Sequence, residues 1–215
     1  LGSIGFPVLD NMRQVVWARL RGVRHNSGRL IRLNLNSKIV LAATAWVYTV
    51  GLFTIGLSEL LHQSGTTEQI LLDAHFMNVN RTAGFATIEP RNMGELGRLS
   101  LIVLMFIGGS PGSVAGGIKV MVLAVMAMTV WSTIRGRDQT TVFGRTIPQE
   151  MVRKSAALIV LFLLCQLAVM AAMAVTERER FPLEELLFEA TSALGTCGLS
   201  AGVTEDPLLT SGGKI

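Results

Sequence analysis

The sequence predicts an all-α integral membrane protein built from parallel repeats, each with a span, a short helix, a glycine-containing loop and a second span. Half of its 215 residues are apolar and only 16% are charged, with a mean hydropathy of +0.49. Several apolar stretches are long enough for the roughly 20 helical residues that a bilayer core of about 30 Å requires. This composition excludes an ordinary soluble domain.

Three apolar stretches are predicted to span the membrane: Ile39 to Leu61, Leu99 to Ile134 and Ser155 to Thr176. The second stretch would measure roughly 54 Å as one straight helix, so we expect it to be broken. The break is predicted at residues 108–117, which contain five glycines and Pro111. Irregular backbone at membrane depth must face protein or water.

Basic residues predict the orientation, because they accumulate on the cytoplasmic side. The cytoplasmic segments carry Arg13, Arg19, Arg21, Arg24, Arg29, Arg32 and Lys38, then Arg135, Arg137, Arg145, Arg153 and Lys154. Acidic residues concentrate on the other side, at Glu59, Glu68, Asp73, Glu89, Glu95, Glu177, Glu179, Glu184, Glu185, Glu189, Glu205 and Asp206. We expect the run from Glu177 to Glu189 to form a solvated face.

The two outer segments repeat one pattern. Thr67 to Asn80 and Pro182 to Leu194 are each predicted to form a helix too short to cross the membrane. Each is followed by a Thr, a small residue, a Gly and an apolar residue, at 82–85 and again 114 positions later at 196–199. The units run in the same orientation, which indicates a parallel repeat.

These loops are candidate cation sites. A short helix that ends at membrane depth directs its partly negative C-terminal end toward the centre. Glycine permits backbone angles that let carbonyl groups replace the hydration shell of an ion. The candidate ligands are the carbonyl groups of Thr82, Ala83, Gly84, Phe85, Thr196, Cys197, Gly198 and Leu199. About four such units complete a ring of carbonyls, and this chain supplies two.

Several motifs resemble the Trk/Ktr/HKT superfamily of potassium transporters, most closely the bacterial Ktr/Trk membrane subunit. The motifs are Arg81-Thr82-Ala83-Gly84-Phe85 with Thr87, the stretch from Ile107 to Lys119, the stretch from Phe188 to Ser200, and Leu1 to Leu9. The resemblance implies that 82–85 and 196–199 are the third and fourth strands of a potassium selectivity filter. It also implies a gate loop beneath the filter, formed by Gly108, Gly109, Ser110, Pro111, Gly112, Ser113, Gly116, Gly117 and Lys119.

The same resemblance implies the organisation of the chain. Residues 1–38 correspond to the end of the second repeat and a basic cytoplasmic linker, 39–134 to the third repeat, 135–154 to a cytoplasmic linker and 155–215 to a truncated fourth repeat. The implied partners are the lipid bilayer of the bacterial inner membrane, the other two repeats, a second copy of the chain and a cytoplasmic nucleotide-binding regulatory subunit of the RCK type. Potassium is the implied ion, and sodium dependence stays open.

Other interpretations of the residues remain. A secondary transporter would bind a small solute at broken helices, with Lys119 and helix N-termini holding an anionic group, and a membrane-embedded scaffold would tolerate changes at Gly84 and Gly198. Lys119 has either a structural role or a role in the site.

His62 and His75 lack a second ligand at metal spacing, so no metal beyond monovalent cations and no covalently bound cofactor is expected. Catalytic and nucleotide fingerprints are missing from the sequence, which favours a non-enzyme without nucleic-acid partners. Cys197 stands where the family suggests valine, and we expect its thiol to make the pore sensitive to thiol reagents.

Overall fold

The computed structural model describes residues 4–21, 33–62, 65–137, 139–177 and 180–203. The described chain is helical apart from one short hairpin. Its helices are α1 (Phe6–Leu20), α2 (Leu35–His62), α3 (Thr67–Asn80), α4 (Glu95–Phe106), α5 (Val120–Ile134), α6 (Gln149–Glu177) and α7 (Leu183–Leu194), with a 3₁₀ turn at Pro90–Asn92. The predicted features at Leu1 to Ser3, Arg24, Arg29, Arg32, Glu179, Glu205 and Asp206, and the rest of the chain after Val203, lie outside these ranges.

Two helices, α2 and α6, are long and apolar enough to cross a membrane. They contain the first and third predicted spans and extend beyond them at both ends. The second predicted span is divided between α4 and α5, and residues 107–119 lie between them. The short helix α3 has the predicted bounds, and α7 begins one residue after Pro182, which is its N-cap.

Two elements were not predicted. Helix α1 lies within the segment interpreted as the end of a repeat and a linker, and its buried residues Val8, Val15 and Ala18 are interspersed with charges that hide the apolar pattern. The hairpin of β1 (Thr141–Val142) and β2 (Arg145–Thr146) lies between α5 and α6. Its strands are too short to show an alternating pattern, and its turn has positive φ at Phe143 and Gly144, as tight hairpin turns do.

Helix α2 packs against α1, α3, α4 and α5. Small residues allow close approach: Gly51 lies against Asn78 of α3, and Gly97 of α4 lies against Ser58. The core combines α2, α3, α4 and α7 with the chain that follows α7, through residues that include Ile55, Met77, Leu101, Met105, Phe188, Cys197 and Leu199. This packing brings the C-terminal ends of α3 and α7 to the C-terminal end of α4.

Candidate cation-binding site

The two candidate segments touch at their glycines. We name residues 82–85 segment A and residues 196–199 segment B. Gly84 and Gly198 have φ values of +73° and +80°, in the region that favours glycine. A Cβ atom on Gly84 would lie 2.7 Å from the carbonyl oxygen of Cys197, and one on Gly198 would lie 3.7 Å from the Cα of Gly84. Only glycine at position 84 therefore allows the backbones to approach this closely.

Segment B begins where α7 ends in a Schellman motif. The Thr196 N–H donates to the Ala193 carbonyl at 3.1 Å, and the Cys197 N–H donates to the Ser192 carbonyl at 2.9 Å, which is the double bond pattern of that motif. Thr196 takes the left-handed position with φ of +50°. Positive φ at Thr196 and Gly198 alternates with negative φ at Cys197, so the carbonyl groups do not follow the regular alternation of a β-strand.

The two faces of segment B differ in exposure. Thr196 and Gly198 are exposed, whereas Cys197 and Leu199 are 3% exposed and belong to the core. The Cys197 side chain thus packs on protein rather than lying on the open face, which restricts the access of thiol reagents. In segment A, Ala83 and Phe85 are exposed, and Thr82 and Gly84 are partly buried.

A buried carboxylate holds the chain that leaves segment B. Glu189 of α7 is 5% exposed, and its Oε1 accepts hydrogen bonds from the Ser200 hydroxyl at 2.6 Å and the Ala201 N–H at 2.9 Å. The expectation of a solvated acidic face is wrong for this residue, because α7 turns Glu189 toward the chain that follows it. Arg91 donates from Nε to the Ala201 carbonyl at 3.1 Å, so both charges fix the same short stretch.

The predicted gate residues, from Gly108 to Lys119, lie in the loop 107–119, which is closed at its base. We call this base the neck. Three backbone hydrogen bonds form it: Gly108 N–H to the Ile118 carbonyl at 2.9 Å, Ile118 N–H to the Phe106 carbonyl at 3.0 Å, and Val120 N–H to the Gly109 carbonyl at 3.0 Å. A Cβ on Gly108 would overlap the Gly116 carbonyl oxygen. Gly117 has φ of +70°. These glycines are required by close contact and by conformation.

The loop lies against segment B and against the N-terminal segment. Gly116 packs on the Gly195 carbonyl and the Thr196 hydroxyl, leaving no room for a Cβ. At the loop tip, the Ser110 hydroxyl donates to the Ile4 carbonyl, and the Phe6 N–H donates to the Gly112 carbonyl at 3.4 Å. Pro111 and Gly112 are exposed. Gly109 is buried in the neck, and the Ser113 N–H donates to the Ser110 carbonyl within the loop at 3.1 Å.

Lys119 is the N-cap residue of α5, and its Nζ donates to the Ala115 carbonyl of the loop. Its charge is therefore directed at the loop itself and not at segments A or B. His75, one of the two histidines considered as metal ligands, hydrogen-bonds through Nδ1 with the Tyr48 hydroxyl at 2.5 Å. Among the described residues there is no group of three His, Cys, Asp or Glu side chains that could hold a metal ion.

The two segments thus bring glycine-containing backbone and the C-termini of α3 and α7 together. Carbonyl groups and helix C-termini are a set that suits a desolvated monovalent cation. Sequence reasoning missed the roles of Arg91 and Glu189 in holding the chain that leaves segment B. For Glu189 a usable signal was present, since it is a charged residue in a helix predicted to lie at membrane depth, where charges are costly and usually functional.

Comparison with known proteins gives a family match over nearly the whole chain. Residues 1–212 match the family model described as TrkH, cation transport protein. The chain is 35% identical to the potassium/sodium uptake protein NtpJ of Enterococcus hirae. The alignment covers the whole of this chain and 46% of that protein. The chain is 34% identical to the Ktr system potassium uptake protein B of Vibrio alginolyticus, in an alignment that covers 95% of this chain and 44% of that protein. The chain thus spans about half the length of the curated relatives it matches.

A solved structure shows the same fold. The potassium transporter TrkH of Vibrio parahaemolyticus matches with a TM-score of 0.50 and 21% sequence identity, over 89% of this chain and 49% of that one. At this identity the likeness concerns the fold alone.

Proposed function

The chain belongs to the TrkH family of cation transport proteins, and we propose that it forms part of a pore through which potassium ions enter the cell. The observation that carries the proposal is the contact of Gly84 with the Cys197–Gly198 peptide, where both glycines have positive φ. Side chains are excluded from this contact, so backbone carbonyl groups are the ligands that remain. Ring-like sets of carbonyl groups are the basis of potassium selectivity filters.

Helix ends support cation binding at this place. Segments A and B follow the C-termini of α3 and α7, and each C-terminus carries roughly half a negative charge. An entering cation would be stabilised by these partial charges without a carboxylate ligand. The membrane potential would drive it inward with about 2.3 kcal/mol per charge per 100 mV.

The loop 107–119 is proposed as the gate. Its Gly116 lies against the Thr196 hydroxyl at the start of segment B, where a loop could obstruct ion passage. The Lys119 ammonium donates to the Ala115 carbonyl, so it is not available to an anionic solute as a secondary transporter would require. We therefore favour the gated pore.

The larger assembly is proposed from the family to which the chain belongs. Residues 39–134 and 155–215 would be the third and fourth of four repeats around one pore, with 1–38 as the end of the second repeat and 135–154 as a cytoplasmic linker. Two such subunits would pair, with a cytoplasmic nucleotide-binding subunit as regulator. The Enterococcus relative is named for both potassium and sodium, so sodium is proposed as a second transported or coupling ion.

Gly84→Ser and Gly198→Ser test the proposal in the complete gene that encodes this chain, expressed in a bacterium deficient in potassium uptake. Gly56→Ser is the matched control, because a Cβ at Gly56 meets only Ala74 at 3.7 Å. We expect normal membrane levels, an increase of about tenfold or more in the rubidium KM for both filter variants, and parental uptake for the control. Parental rubidium KM and potassium-over-sodium discrimination in both filter variants would refute the pore.

A further inference from the structure

We propose that Arg81 is a positioning residue for the pore, whose buried guanidinium fixes segment A to the same end of α4 from which the gate loop departs. The inference rests on the proposed function and adds a residue whose side chain connects segment A to the start of the proposed gate loop. Arg81 directly precedes segment A, is the C-cap residue of α3 and is 8% exposed.

The bond that carries the proposal joins Arg81 Nη1 to the Leu104 carbonyl at 3.0 Å. Leu104 is in the last turn of α4, where carbonyl groups have no partner within the helix. The neighbouring carbonyl groups serve the loop: Val103 accepts from the Ile107 N–H at 3.2 Å, and Phe106 accepts from the Ile118 N–H at 3.0 Å. Arg81 thus binds between two carbonyl groups that hold the beginning and the neck of the loop.

The surroundings of the guanidinium make this position well defined. The ion pair of Arg98 with Glu184 and that of Lys154 with Glu150 lie elsewhere in the described part of the chain. The Arg81 charge lies at the C-terminal end of α4, whose partial negative charge favours a cation. A charged group in an apolar interior is costly to leave without such partners, so alternative positions of the side chain are disfavoured.

Segment B reaches the same helix end by a different route. The position equivalent to Arg81, 114 residues later, is Gly195. A Cβ on Gly195 would lie 3.1 Å from the Met105 carbonyl oxygen, and one on Gly117 of the loop would lie 3.0 Å from it. Segment B is therefore held against α4 by backbone packing, whereas segment A depends on one side chain. A shift of the neck would reach segment A through Arg81.

Arg81→Met and Arg81→Lys in the complete transporter test the inference. Arg98→Met is the matched control, because Arg98 is also a partly buried arginine, but it lies at the other end of α4 and forms an ion pair with Glu184 at 3.1 Å. We expect Arg81→Met to reach the membrane and to lower rubidium-over-sodium discrimination about tenfold, the effect of roughly one hydrogen bond. Arg81→Lys, which keeps charge but not the planar donor geometry, should lie between Met and the parent. Arg98→Met should lower thermal stability and keep the parental discrimination.

Parental discrimination and rubidium KM in Arg81→Met would overturn the inference, as would an equal loss of discrimination in Arg98→Met. If Arg81→Met does not reach the membrane, Arg81→Lys decides: reduced discrimination supports the positioning role and parental discrimination refutes it. The glycine variants separate this inference from the pore itself. Altered uptake in Gly84→Ser and Gly198→Ser with parental behaviour at Arg81 removes only the role of Arg81.

Discussion

Thr196 adopts a backbone conformation that β-branched residues rarely occupy. Its φ of +50° lies in the left-handed region, and the corresponding position of a Schellman motif usually holds glycine. A non-glycine residue held there stores about 1–3 kcal/mol of strain. The hydroxyl lies beside Gly116 of the loop, which places the strained residue where the proposed filter and gate meet.

Thr196→Gly is therefore expected to stabilise the protein and impair its function. Relief of strain should stabilise the purified complete transporter by about 1 kcal/mol, seen as a higher unfolding temperature in detergent. Rubidium uptake should fall because the Thr196 hydroxyl and the restricted backbone are lost. Thr87→Gly is the control, since Thr87 is exposed and has no positive φ, and it should give no gain. An unfolding temperature of Thr196→Gly at or below that of the parent would contradict the strain.

At the scale of single residues, the sequence predicted which residues are candidate ligands but not how their backbone is held. Gly84 and Gly198 were identified because a Thr-small-Gly-apolar pattern follows each short helix. The Arg81–Leu104 and Glu189–Ala201 bonds were not, since a side chain can bond to a distant backbone group only after tertiary packing defines where that group lies. The placement of Cys197 in the core also depends on packing.

Among the elements, the proposed gate loop shows most clearly what composition does and does not predict. Five glycines and a proline within ten residues predicted irregular backbone inside a span, and α4 and α5 end and begin around it. The neck that joins Phe106, Gly108 and Ile118 was not predicted, because it pairs positions far apart in a segment without periodicity. The hairpin at 141–146 was missed for the related reason that its strands are very short.

Gly108→Ala should force the neck apart, because its Cβ would overlap the Gly116 carbonyl oxygen. We expect a lower unfolding temperature and, as the loop moves away from Thr196, faster rubidium uptake at equal membrane levels. Gly56→Ala provides the comparison, since its Cβ would meet Ala74 at an ordinary 3.7 Å. The loop would lose its role as gate if Gly108→Ala matched Gly56→Ala in both uptake and unfolding temperature.

At the scale of the whole molecule, the long apolar helix α6 is largely exposed. Leu158, Leu161, Leu164 and Leu167 are each more than half exposed, while a polar contact from Gln166 to Thr191 at 2.8 Å attaches the helix to α7. Span positions of this kind were predictable because a long apolar run is a local property of the sequence. The side of α6 that contacts protein was not predictable, because leucines occur on all sides of this helix.

A charge at two depths of α6 tests its position in the bilayer. Leu164→Arg places arginine near the middle of the helix, where insertion costs about 2.5–3.5 kcal/mol, so we expect a several-fold loss of membrane-integrated protein. Val175 lies near the C-terminal end of α6 and is 87% exposed. The arginine side chain of Val175→Arg can therefore reach the membrane interface at little cost. The measurement is the amount of protein resistant to alkaline extraction of membranes. Equal amounts for the two variants would refute a transmembrane α6.

The pairing of Ile107 with Ile118 is parallel, so the chain leaves the loop in the direction in which it entered it. The loop is thus a detour from a continuing path and not a reversal of that path. Its length can change without altering the number of membrane crossings or the side on which α5 ends.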